Sequence, residues 1–182
     1  MSWNSSPLPR SLTALETKVD CQSRSDDVRA VVQRVNHAAV SVNGAVTGEV
    51  GRGLLVLVGI TQTDTDEDVQ YLTDKAVNMR IFPPEGDDRG FERSALEIGG
   101  EVLLVSQFTL YATTRKGRRP GFTDAAPAEV SEPMFNRVVT AFRKTGIKVK
   151  TGVFGAMMLV ELENSGPATI ILDTADRMLP RG

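Results

Sequence analysis

The segment Ala38-Ala39-Val40-Ser41-Val42-Asn43-Gly44-Ala45-Val46-Thr47-Gly48-Glu49-Val50 decides the fold class. Its Asn-Gly pair lies between two β-rich runs. A two-residue hairpin turn needs positive φ at its centre, which Asn and Gly accept with least strain. Antiparallel pairing is therefore expected here, and the sheet that contains it is mixed or antiparallel.

Reading outward, Val28 to Val35 alternates as a strand. Downstream, Leu54-Leu55-Val56-Leu57-Val58-Gly59-Ile60 is apolar throughout, which suits a central strand covered on both faces. Asp64 or Thr65 caps a helix running to about Met79, with Val69, Leu72, Ala76 and Met79 on one stripe. A Pro/Gly/Asp-rich loop spans Pro83 to Gly90. A second buried strand is expected over Val102 to Phe108, followed by a loop carrying Arg115-Lys116-Gly117-Arg118-Arg119. Phe135, Val138, Val139 and Phe142 mark a second helix, with Pro133 in its first turn and Gly146 as its stop. Met158, Val160 and Leu162 alternate in a strand, Asn164 to Pro167 reads as a turn, and Thr169 to Leu172 as a last strand. The expected fold is a single α/β domain over 28–174, with a mixed, largely antiparallel, barrel-like sheet and two main helices. Residues 1–27, polar and without periodicity, read as a disordered extension, and 175–182 as a C-terminal tail.

The composition narrows the chemistry. Of 182 residues, 41% are hydrophobic and 24% charged, enough for a sizeable core. A net charge of −2 supplies no overall attraction for nucleic acid, so RNA contact needs a local patch such as Arg115 to Arg119. One cysteine, Cys21, forms no intramolecular disulfide and suits a reducing, cytoplasmic setting. No apolar run approaches the ~20 residues of a membrane span. His37 is the lone histidine, and no His/Cys/carboxylate cluster suggests a metal. The glycine-rich phosphate loops and the nucleophile elbow of the α/β-hydrolases are absent. An enzyme built from this chain, expected to use no metal or cofactor, works with hydroxyls, backbone amides and groups the substrate brings. That restricts it to an already activated bond, such as an aminoacyl ester.

Five motifs in order carry a resemblance. Arg29-Ala30-Val31-Val32-Gln33-Arg34-Val35 and the glycine-bounded strand Gly53 to Gly59 come first. Ser106-Gln107-Phe108-Thr109-Leu110-Tyr111-Ala112 follows. After it stand Lys116-Gly117-Arg118-Arg119-Pro120 with Phe122-Thr123-Asp124-Ala125-Ala126-Pro127. Phe154-Gly155-Ala156 with Met158, then Asn164-Ser165-Gly166-Pro167, complete the set. Together they resemble the D-aminoacyl-tRNA deacylase family over about 28 to 174. Gly121 stands where the family has Ser, Ala168 where it has Val, and Arg89 to Ala95 departs from its loop pattern. Val28 falls where the family's initiator Met sits; a valine-type start codon read as internal would explain that.

The resemblance implies hydrolysis of the ester between a D-amino acid and the tRNA 3′ end, with glycine partly accepted. Ser106, Gln107, Phe108 and Thr109 would line the pocket for the terminal adenosine and the ester. Backbone amides near Gln107 and Phe108 would hold the oxyanion. Thr109 has two open readings: nucleophile, or bystander to catalysis assisted by the ribose 2′-hydroxyl. The second is preferred, because no base stands near Thr109 in sequence. Gly166-Pro167 is implied to be a cis element reaching the other subunit's pocket in a homodimer with shared sites, where it excludes L side chains. Asn164 would pin that turn through its side-chain amide, and Arg34 would support the site or the RNA end. Phe154 and Met158, otherwise core residues, would flank the adenine, and Arg115, Lys116, Arg118 and Arg119 would touch phosphate. The rivals are a non-catalytic RNA-binding module and a Thr109-dependent hydrolase of small esters.

Overall fold

The computed structural model describes residues 28–87, 89–115 and 117–178. The expected extension 1–27 with Cys21, the basic residue Lys116, and 179–182 of the expected tail lie outside the described residues.

The hairpin signal is met. Strands β1 (Arg29–Val42) and β2 (Ala45–Val50) pair antiparallel around Asn43 and Gly44, both at positive φ. The N-terminal half of β1 pairs antiparallel with β3 (Gly53–Gly59), from Arg29 opposite Gly59 to Val35 opposite Gly53. From β3 the chain crosses through helix α1 (Asp66–Asn78) into β4 (Glu101–Ser106), which lies parallel to β3. A second crossover, helix α2 (Ala128–Lys144), delivers β5 (Lys148–Thr151) parallel to β4. The last strand, β6 (Leu159–Asp173), runs antiparallel along β1 and pairs with no other described strand. The order β2-β1-β3-β4-β5 curls into a nearly closed barrel. Gly48 of β2 abuts the Thr151 carbonyl of β5, with no space for a side chain between them.

Two-sided burial accounts for the unbroken apolar run of β3. Leu54, Val56 and Val58 join α1 and α2 in one core, with Val69, Leu72, Phe135, Val138 and Phe142. Leu55 turns inward to a second core inside the barrel, with Val35, Val40, Val50, Leu103 and Val105. Thr65 is the N-cap of α1, and its N–H donates to the Asp68 carboxylate (2.9 Å). Side-chain capping of this kind contributes about 1 kcal/mol.

Three local expectations are corrected. The strand expected over Val102 to Phe108 ends at Ser106, and Phe108–Tyr111 form a 3-10 turn. Pro133 lies sixth in α2, beyond its first turn, because the helix starts earlier at Ala128 behind Pro127. Asn164 to Pro167 is no reversal between two strands. β6 is continuous from Leu159 to Asp173, and this stretch bulges out where Gln33 faces Thr169 and Val35 faces Asn164. Two residues of β1 thus span five of β6, which pushes Gly166 and Pro167 out of the ladder. The peptide between them is cis. Beyond β6, Thr174–Met178, partly in the expected tail, is a 3-10 turn tied to α1 by Arg177 with Glu67 (2.7 Å) and Asp68 (3.0 Å).

Candidate active site

Parallel strands leave a crevice beyond their carboxyl ends, where the chain departs toward crossover helices. Here that crevice lies past Val58 of β3 and Ser106 of β4. A cavity of about 520 Å³ opens there, lined by Val58, Ser106, Gln107, Phe108, Phe154 and Met158 among others. This volume suits a nucleoside-sized ligand. Five of the residues singled out from sequence therefore meet in one cavity. Among the described residues, none that lines it is ionisable.

Next to the cavity-lining residues Val58 and Gln107, the chain makes a close approach at Gly59. A Cβ on Gly59 would stand 2.9 Å from the Tyr111 ring and 3.1 Å from both the Gln107 carbonyl oxygen and Leu110 Cβ. Only glycine lets β3 pass directly beneath the 3-10 turn. The Tyr111 ring is buried and carries the Arg29 guanidinium 5.1 Å from its centroid. Burial, with the negative charge of Asp64, holds its hydroxyl above the ordinary tyrosine range, so it stays protonated. A glycine closing an apolar strand just before a polar segment was the available signal.

Backbone donors are distributed differently from the expectation. The Gln107 N–H donates to the Val58 carbonyl (2.7 Å) as part of the sheet, so it is not available to an oxyanion. The first bond inside the turn runs from Leu110 N–H to the Gln107 carbonyl (3.3 Å). The N–H groups of Phe108 and Thr109 precede it and are claimed by no bond within the turn. Thr109 is exposed, does not line the cavity, and its hydroxyl accepts the Gln107 side-chain amide. A carboxamide is no base, so nothing at that contact can activate the hydroxyl. His37 does not line the cavity; it lies on β1 with its ring nitrogen 2.9 Å from Glu49.

The remaining site candidates lie elsewhere. Gly166 and Pro167 are exposed. Asn164 braces them: its side-chain oxygen accepts the Ala168 N–H (2.8 Å), and its amide donates to the Thr169 hydroxyl (2.9 Å). From beneath, the buried Arg34 donates through Nε to the Ser165 carbonyl (2.9 Å) and through Nη1 to the Ile81 carbonyl (2.5 Å). Gly166 sits at φ +120° against this guanidinium, so a methyl there meets both strain and a clash. Three strand steps and five residues of β4 separate this corner from Ser106, roughly 20 Å along the sheet. Arg115, Arg118 and Arg119 are exposed on a loop closed by the Thr113–Gly121 bridge, outside the cavity. Phe108, 56% exposed, leans edge-on against Phe122 at 5.0 Å between them. Among the described residues no group of His, Cys, Asp or Glu could hold a metal, and no helix is long and apolar enough to cross a membrane.

Comparison with known proteins agrees with this geometry. A family model described as D-Tyr-tRNA(Tyr) deacylase matches residues 31–173. A D-aminoacyl-tRNA deacylase of Roseiflexus castenholzii is 52% identical over 155 residues, covering 85% of this chain and 97% of the relative. Another from Halothermothrix orenii is 54% identical over 147 residues, covering 81% and 97%. The solved structure of c-Myc DNA Unwinding Element Binding Protein superposes with a TM-score of 0.74 at 39% identity, covering 79% of this chain and 97% of that one. A probable eukaryotic D-amino acid tRNA deacylase shares the fold at 18% identity and a TM-score of 0.70, covering 80% and 98%. With an uncharged cavity at the end of parallel strands, a braced corner on β6, and these relatives, the chain belongs to the D-aminoacyl-tRNA deacylase family.

Proposed function

We propose that the protein hydrolyses the ester joining a D-amino acid to the 3′-terminal ribose of a tRNA, in a homodimer whose two sites are shared. One observation carries the chemistry: among the described residues, none lining the cavity that holds Ser106, Gln107 and Phe108 is ionisable. Such a site supplies no general base, so the substrate must assist its own hydrolysis. The terminal adenosine sits against Phe154 and Met158, where an aromatic face and a thioether suit a flat base. The amide of Phe108, which lines the cavity, takes the developing oxyanion, worth about 3 kcal/mol of barrier. Water adds to the ester carbonyl while the free 2′-hydroxyl relays its proton, and the bond to the 3′-oxygen breaks. Orientation of these groups can supply ~7–11 kcal/mol.

Chirality is read by Gly166 and Pro167 of a second copy. Within one chain the corner and the cavity are too far apart to meet. β6 offers an open edge and exposed apolar side chains, Leu159 at 63% and Ile171 at 73%, for a partner. Docked there, the corner places its carbonyls beside the substrate α-carbon. An L side chain collides, a D side chain points to solvent, and glycine partly passes. Charged tRNA is used in the cytoplasm, where we place the protein.

Incubation with D-Tyr-tRNA and L-Tyr-tRNA tests this reading. Release of D-tyrosine alone is expected. Protection of both esters would assign the chain to the RNA-binding modules. Equal hydrolysis of free D-tyrosine esters without tRNA would assign it to small-ester hydrolases.

A further inference from the structure

A second cavity, of about 740 Å³, opens beneath the Gly166-Pro167 corner, and nothing in the deacylation scheme uses it. Arg34, Arg52 and Arg93 line it, with Ser165 at its edge and the exposed Glu85 and Asp87 on its rim. Arg34 is only 5% exposed. Its two hydrogen-bond acceptors are backbone carbonyls, using two of five guanidinium N–H groups. Among the described residues no carboxylate forms an ion pair with it. A buried cation without a counterion is costly, and a second one nearby raises the cost. Burial and the charge of Arg52 both pull the Arg34 pKa below its ordinary value. Arg52 is itself exposed, its guanidinium 6.0 Å from the Phe82 ring centroid. Of the two rim carboxylates, Asp87 is taken by Arg89 (3.6 Å). Arg93 donates one N–H to the Glu97 carbonyl (2.6 Å). Among the described lining residues three guanidiniums face two carboxylates, in a cavity large enough for a tetrahedral oxyanion, and guanidinium forks match phosphate geometry.

We propose that this cavity is a phosphate subsite, in which Arg34, Arg52 and Arg93 take a backbone phosphate of the RNA whose 3′ end is processed. The inference rests on a tRNA substrate. It adds a contact that couples the selecting corner to RNA seating, since Arg34 holds Ser165 with one edge and faces the cavity with another.

Binding of uncharged tRNA, measured across a salt series, tests it without any catalytic step. Arg52→Gln and Arg93→Gln should each weaken binding about ten-fold at moderate salt and lower the log–log salt slope by about one. Arg52→Lys should keep most of that slope, which separates lost charge from lost packing. Unaltered affinity and slope in both Gln variants would overturn the proposal. A parallel arm uses inorganic phosphate alone. If phosphate raises the melting temperature of the wild type but not of Arg52→Gln, while tRNA affinity is the same in both, the site takes a free anion and the RNA assignment falls. Because uncharged tRNA is the probe, the result stands apart from whether D-Tyr-tRNA is cleaved.

Discussion

The cavity at the ends of β3 and β4 and the corner on β6 are opposite kinds of structure. The cavity is concave, mostly apolar and free of charge, and it is shaped by strands buried on both faces. The corner is exposed and pushed out of its ladder, and it is held by polar bonds from Asn164 and by the buried charge of Arg34. The first can hold a nucleoside but has no means of reading handedness. The second offers carbonyl oxygens in a fixed place but has no pocket. The proposed function divides the work accordingly, with binding and chemistry assigned to one region and discrimination to the other.

The largest effect should come from disturbing the corner alone. Gly166→Ala places a methyl against Arg34 at a backbone angle that alanine resists, so the corner shifts. L-Tyr-tRNA hydrolysis should rise until discrimination falls by about 100-fold or more, while D-Tyr-tRNA turnover persists. Discrimination that stays intact would detach the corner from selection.

The cavity should respond in the opposite way. Phe108→Pro removes one amide donor at the first position of the turn, where proline is tolerated. Turnover of D-Tyr-tRNA should fall about 10²–10³-fold with the D/L ratio retained in what remains. Gly59→Ala acts from below by pressing on Tyr111, Leu110 and the Gln107 carbonyl. About ten-fold in rate is expected, with ~1–3 kcal/mol of stability lost, read by denaturant unfolding. The smallest effect belongs to Thr109→Ala. Its hydroxyl meets only the Gln107 amide, so single-turnover rates should remain within about ten-fold of wild type. Collapse to the uncatalysed rate in a folded protein would restore Thr109 as the nucleophile.

How far these two regions were legible in the sequence also differs. The cavity's frame was readable because its signals are local: the Asn43-Gly44 hairpin, the unbroken apolar run of β3, and the Thr65 cap of α1. The strand end was misplaced by two residues. Phe108, Thr109 and Tyr111 are strand-prone types, and the close pass of Gly59, distant in sequence, goes with the 3-10 turn there. The corner was misread as a reversal because Asn-Ser-Gly-Pro is turn chemistry wherever it occurs. Its continuity with β6 depends on pairing with β1, more than a hundred residues away. Of the cluster at the second cavity only Arg34 was singled out from sequence; Arg52 and Arg93 had no signal, since they come from separate stretches of the chain.

A dimer with Phe108→Pro in one chain and Gly166→Ala in the other, isolated with two affinity tags, tests the division most directly. Its only working cavity belongs to the Gly166→Ala chain and faces the intact corner of its partner. The account predicts wild-type discrimination, with D-Tyr-tRNA cleaved and L-Tyr-tRNA spared. Cleavage of both esters, as in the Gly166→Ala homodimer, would mean that each corner serves its own chain and would contradict the shared site.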